Sequence, residues 1–147
     1  MTKYNGNDLR GFLDITGAIS DETRIRILMM LDLHELCVCQ ITGAMALAPS
    51  TISKHLSILE NADLIIRRKA GRWVHYKLND GKSSAPVLAA LRLVKESACR
   101  SDDINNDRRK IKSLLKEDIN VICKRLYHDQ DSYNRISKKG NARLVKA

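Results

Sequence analysis

Two thiols one residue apart, Cys37 and Cys39, stand in the run Glu35-Leu36-Cys37-Val38-Cys39. The thiolate is the form of cysteine that ligates metals and attacks electrophiles, so a close pair invites soft-ion binding or oxidation. All-thiolate sites of low coordination number select soft species. Structural zinc wants four ligands in a tetrahedron; this box offers two, with His34 nearby but not aligned with them. As(III) or Sb(III) fits such a site best, and Cd(II) or Pb(II) comes second. The spacing is not the C-x-x-C of thiol redox enzymes or zinc ribbons. On spacing alone, two buried cysteines would read the same. No Ser-His-Asp arrangement, phosphate-binding glycine loop or pair of acids in a plausible cleft is visible, so the chain is expected not to be an enzyme and to need no organic cofactor.

A second group of residues carries a different chemistry. Ile52, Leu56 and Leu59 fall at i, i+4 and i+7, the inward stripe of a helix. The opposite side carries Ser50, Ser53, Lys54 and Ser57, flanked by Thr51 and His55. Small hydroxyls let a helix sit deep in a major groove and exchange hydrogen bonds with base edges, while Lys54 can reach a phosphate or a guanine. From Ser50 to Leu78 there are six Lys or Arg against two acids. A basic hairpin with Lys69 and Arg72 at its tip can grip phosphates beside the reading helix; a plain solvated edge hairpin protected by charge would look similar.

These residues need elements to hold them. Residues 8–19 put Leu9, Phe12, Leu13 and Ile19 at near-helical spacing. Ser20-Asp21-Glu22-Thr23 is a helix start signal, and Ile25, Leu28 and Met29, widened by Ile27 and Leu31, carry that helix to about Leu33. Ile41 and Met45 mark a short helix, which Ala48-Pro49 breaks because a residue before proline avoids helical geometry; Ser50 or Thr51 then caps the next. Two short helices joined by a tight turn make a helix-turn-helix. Leu64–Leu78 switches to strand patterning around an Ala70-Gly71 turn. Ser83-Ser84-Ala85-Pro86 opens another helix with Val87, Leu91, Val94 and Ala98 along it. After a polar break at 99–107, Ile111, Leu115, Ile119 and Ile122 predict a helix over 107–127. Three segments result: 1–100 as the DNA-binding and sensor domain, 101–128 as a helical extension, and 129–147 as a basic, disordered tail. The fold class is mainly α with a small β-hairpin.

The cysteine pair thus sits at the start of the first helix of the helix-turn-helix, where the helix terminus favours thiolate. Positions i and i+2 point about 200° apart on a helix, so chelation by both requires that turn to distort. A ligand that prefers the distorted state shifts the equilibrium away from the helical one.

The formal net charge is +9 over 147 residues, with a pI of about 9.6, which speaks to anionic partners more than to fold. No apolar run is long enough to span a bilayer, and the first residues lack an apolar signal region. A cytoplasmic protein with no membrane partner is expected. In that compartment the four cysteines serve as ligands, redox groups or buried fillers in preference to disulfides.

Taken in order, Ser20-Asp21-x-Thr23-Arg24, the Glu35–Cys39 box, Ser50-x-x-Ser53-Lys54-His55-Leu56-x-x-Leu59 and Arg72-Trp73-Val74-His75-Tyr76 resemble the ArsR/SmtB family of metal-sensing repressors, the box resembling its arsenic-responsive branch. The resemblance covers about residues 9–100. It implies a winged helix-turn-helix, a homodimer through the terminal helices, and a repressor that leaves an inverted-repeat operator on binding metal. It implies Cys37 and Cys39 as ligands and residues 50–57 as operator readers. Many arsenic sensors carry a third cysteine where this chain has Thr42. The amino-terminal cysteines of cadmium and lead sensors are missing, and 83–99 has Glu96 but no His for a zinc site of the dimer helices. A third thiolate, if used, must come from Cys99 or Cys123. The alternative reading is a winged-helix repressor sensing Cd(II), Pb(II) or oxidants through the same pair.

Overall fold

The computed structural model describes residues 8–128; the tail expected over 129–147 lies outside them. The elements run α1 (Leu9–Ala18), α2 (Glu22–Leu33), β1 (Leu36–Cys37), α3 (Val38–Met45), α4 (Pro49–Asn61), β2 (Ile65–Ala70), β3 (Trp73–Leu78), α5 (Ala85–Ala98) and α6 (Asp102–Leu114). Residues 119–128 are helical as well. The three strands form one antiparallel sheet in the order β1-β3-β2.

Helix α2 is the hub. Asp21 is its N-cap and accepts from the Arg24 N–H at 3.0 Å. Five successive residues, Ile27 to Leu31, are buried, and a helix apolar on all sides must be surrounded; α4, α5, α6 and β3 all pack on it. On α4 the inward residues are Ile52, Leu56 and Leu59, as the spacing predicts. Each such fully buried side chain is worth roughly 1.5–3 kcal/mol, so this stripe, more than helix propensity, holds α4 in place.

The helix-turn-helix turn differs from expectation in its cap. Ala48, extended at φ −62° and ψ 142°, is the N-cap of α4, and Pro49 occupies its first turn. Proline suits that position, where its missing N–H costs nothing, so Ser50 and Thr51 lie inside the helix and not at its cap. Helix α3 ends on Ala46 at φ 53°, the left-handed conformation that reverses the chain. At the far end of α4, the Leu64 N–H bonds to Leu59 O and the Asp63 N–H to Glu60 O, with Asp63 at φ 57°. This paired closure aims the chain straight into β2. The hairpin has Ala70 opposite Trp73, leaving Gly71 and Arg72 as its turn, with Gly71 at φ 58°, a conformation that costs glycine least.

Helix α1 forms where the spacing predicts it. Its buried residues are Gly11, Ile15 and Ala18, whereas Leu9, Phe12 and Leu13 are more than half exposed and Ile19 is partly buried against the core. One expectation is corrected: the helix of the extension starts earlier than position 107. Helix α6 begins at Asp102, with Asp102 and Asp103 in its first turn, where they complement the helix dipole. It breaks after Leu114, before the helical stretch at 119–128. Its inward face includes Asp107, buried at 1% exposure by a two-bond pairing with Arg26, 2.8 Å for each bond. That hydrogen bonding raises the Arg26 pKa above its ordinary value against the opposing effect of burial.

Candidate nucleic-acid interface and thiol site

Six of the eight proposed DNA contacts are exposed together. Ser50, Ser53, Lys54 and Ser57 lie on the outer face of α4, and Lys69 and Arg72 at the hairpin tip are also open. Thr51 is half-buried. His55 is drawn elsewhere: its Nδ1 lies 3.3 Å from Arg24 Nη1 and 3.8 Å from Asp21 Oδ2. It packs α4 against the start of α2 and does not join the exposed set.

The hairpin's cations divide into two groups. Arg67 makes a two-bond pair with Glu60, 2.8 Å for each contact, and that hydrogen bond raises its pKa. Arg68 meets Glu35 at 2.7 Å. Lys54, Lys69, Arg72 and Lys77 have no carboxylate partner among the described residues. A phosphate would therefore meet free cations at the reading face and the hairpin tip, while Arg67 and Arg68 brace the hairpin against α4 and the β1 approach. Charge counting along the sequence could not separate these roles.

Sequence reasoning also gave no role to Arg24. Its Nε donates to Ala18 O at 2.7 Å and its Nη2 to Gly17 O at 3.2 Å, two carbonyls in the last turn of α1, where helical acceptors run out of intrahelical donors. One side chain thus ties α1, α2 and α4 together. Charged hydrogen bonds of this kind are worth about 1.5–3 kcal/mol each. Arg24→Ala is expected to lower stability by about 2 kcal/mol, read as a lower urea midpoint at unchanged slope; an unshifted midpoint would remove Arg24 from the ties between these helices.

The thiols fall into a pattern the spacing does not give. Cys37 belongs to β1, opposite His75 on β3, and is buried at 2% exposure. It is the N-cap of α3, extended at φ −87° and ψ 164°, and Gln40 Oε1 accepts from its N–H at 3.0 Å. Cys39 is the second residue of α3 and half-buried. The pair is therefore split across a strand end and a helix start. Cys39 instead meets Cys123, with which it forms a disulfide, the two Cα atoms 5.4 Å apart. The expectation of four unbridged thiols is corrected here: 84 residues of sequence separation hide the contact. Cys123 is buried, and Cys99 is exposed and unpaired at the end of α5. Of the two candidates for a third thiol, the fold brings Cys123 to Cys39, while Cys99 stands exposed at the end of α5. Among the described residues, no three His, Cys, Asp or Glu side chains gather in a metal-ready group.

The family model for "Bacterial regulatory protein, arsR family" matches residues 21–67, from the N-cap of α2 into β2. The arsenical resistance operon repressor of Escherichia coli (strain K12) is 44% identical over 62 residues, which are 42% of this chain and 53% of that protein; the chain thus spans about half of that relative. The arsenical resistance operon repressor of Bacillus subtilis (strain 168) is 38% identical over 81 residues, 54% of this chain and 77% of that protein. Among solved structures, HlyU from Vibrio cholerae N16961 superposes with a TM-score of 0.53 at 31% identity, covering 62% of this chain and 95% of that one. A homodimeric winged helix-turn-helix domain from Mycobacterium bovis shares the fold at a TM-score of 0.53 and 23% identity.

Proposed function

From a chain that belongs to the arsR family of bacterial regulatory proteins, we propose a repressor that holds double-stranded operator DNA as a homodimer and lets go when As(III) or Sb(III) binds its cysteine box. One observation carries the reading: Cys39 lies in the first turn of α3, the helix that supports the reading helix α4, so a ligand there acts on the DNA-binding unit itself. The free cations Lys54, Lys69 and Arg72 beside Ser50, Ser53 and Ser57 supply the phosphate and base contacts, with Thr51 at their margin and His55 holding α4 in position. The apolar surface of Leu9, Phe12 and Leu13 on α1, with Leu93 on α5, suits burial against a second copy, because exposed apolar patches mark interaction sites. Two reading helices would then enter successive major grooves about 34 Å apart on an inverted repeat. The work of such a repressor is cytoplasmic.

Cys37 and Cys39 carry the response. With Cys37 as the extended cap and Cys39 within α3, the two thiols stand on different elements, and an ion drawing both sulfurs together would open the first turn of α3; that opening is the signal. Preference for a soft ion follows from thiolate ligands; arsenical resistance repressors and a cadmium resistance regulator both stand among the relatives, and two or three thiolates in a site of low coordination number suit the metalloid.

The test is operator binding by fluorescence anisotropy with the reduced protein, arsenite, cadmium and zinc being added in turn and peroxide separately without reductant. Release by arsenite that disappears in Cys39→Ser is expected. Release by cadmium or peroxide in place of arsenite would move the cysteine box to another signal.

A further inference from the structure

The helical stretch at 119–128 is docked on the cysteine-bearing face of α3. Cys39 and Gly43 are i and i+4, one above the other on that face. A Cβ built on Gly43 would meet Leu114 Cδ1 at 3.3 Å and Ile122 Cγ2 at 4.0 Å. Next to Ile122 stands Cys123, its sulfur on that of Cys39. Both Ile122 and Cys123 are buried at 1–2% exposure, so the contact is packed from two neighbouring positions and does not hang on one side chain. Cys37, buried and unbridged, belongs to β1 and caps α3.

We infer that Cys39 and Cys123, once reduced, are a preformed dithiol for trivalent arsenic, bridging α3 to the C-terminal helical stretch. This rests on the metalloid reading above and adds to it the thiol that the box lacks at Thr42. The adduct forms by exchange without redox change. A dihydroxy arsenical R–As(OH)2 gives up both hydroxyls as water, taking the two thiol protons, and forms two As–S bonds while arsenic stays trivalent. Arsenite, with a third hydroxyl, has one further position. Cys37 fills it, releasing a third water, only when the first turn of α3 opens. In this order of events the C-terminal stretch captures the ligand and Cys37 reports it. A trialkylphosphine opens the disulfide beforehand, being oxidised to the phosphine oxide as the two sulfurs are reduced to thiols.

The full chain, reduced in this way, is titrated with phenylarsonous acid, which has two exchangeable hydroxyls and so needs only a thiol pair. Cys39→Ser and Cys123→Ser are each expected to lose about 100-fold or more in affinity, the cost of converting a two-point attachment to one point, while Cys99→Ser, at an exposed thiol, binds as the wild type does. Peptide mapping of the wild-type adduct guards against a misfolded variant: the arsenic should join the peptide containing Cys39 to the one containing Cys123. An adduct confined to the peptide that holds both Cys37 and Cys39, or wild-type affinity in Cys123→Ser, would overturn the inference. Adduct formation at Cys39 and Cys123 with no loss of operator binding on adding arsenite would leave this site standing and refute the sensor reading instead.

Discussion

Lys54→Ala is expected to lose most operator affinity while keeping its response to arsenicals intact. Lys54 is exposed in the middle of the outer face of α4 and has no acidic partner among the described residues, so nothing in the fold depends on its charge. A good contact to a base edge is worth about 1–3 kcal/mol, and a dimer presents it twice. The loss should therefore reach about 2–6 kcal/mol, at least 30-fold, on a duplex selected from a random pool. If Lys54 touches phosphate instead, the loss should be uniform across sequences and the salt slope should fall by about one per contact. Unchanged affinity together with an unchanged salt slope would remove this face of α4 from the interface.

Asp107→Ala should have the largest effect on stability. Arg26 projects from the hub helix, and its pairing with the buried Asp107 helps fasten α6 to α2, beside a 3.8 Å contact of Arg108 with Asp32 and the buried Ile104 and Ile111. Removing one member of a buried pair costs about 3–5 kcal/mol when the other charge is left fully buried. Arg26 retains 24% side-chain exposure and can be partly rehydrated, so about 2–4 kcal/mol is expected. Replacing both partners with apolar residues, Arg26→Met with Asp107→Leu, should recover most of that, since a well-packed apolar pair often matches a buried ion pair. Urea midpoints of the two proteins decide it. A midpoint for Asp107→Ala within error of the wild type would mean that the remaining contacts, apolar packing and the Arg108–Asp32 pair, dock the extension.

The same ion pair explains where the sequence misled. A buried aspartate interrupts the apolar period, so the stretch from 102 to 107 reads as a polar break although it is the first half of α6. On α1 the period was legible but its direction was not. Leu9, Phe12 and Leu13 form a true apolar face, and Gly11, Ile15 and Ala18 form another; periodicity shows that a helix has an apolar side without saying which partner covers it. Helix α2, the helix-turn-helix and the hairpin were legible because local signals agreed with packing: a capping sequence ahead of α2, the Ala48-Pro49 break between α3 and α4, a glycine in the hairpin turn. Strand β1, two residues long, gives no period to read. At the site, the exposed residues of α4 followed from the stripe beneath them. The pairing of Cys39 with Cys123 and the diversion of His55 to Arg24 depend on contacts between residues far apart in sequence, which no spacing rule reaches.

The proposed coupling between thiol site and DNA face has to be reciprocal. The direct measurement is arsenite affinity of the reduced protein, free and saturated with operator, alongside operator affinity with and without arsenite. Operator is expected to weaken arsenite binding by about 5–150-fold, by the same factor that arsenite weakens operator binding, and Cys39→Ser to abolish both effects. Arsenite binding equally tight to the free and the operator-bound protein would contradict it.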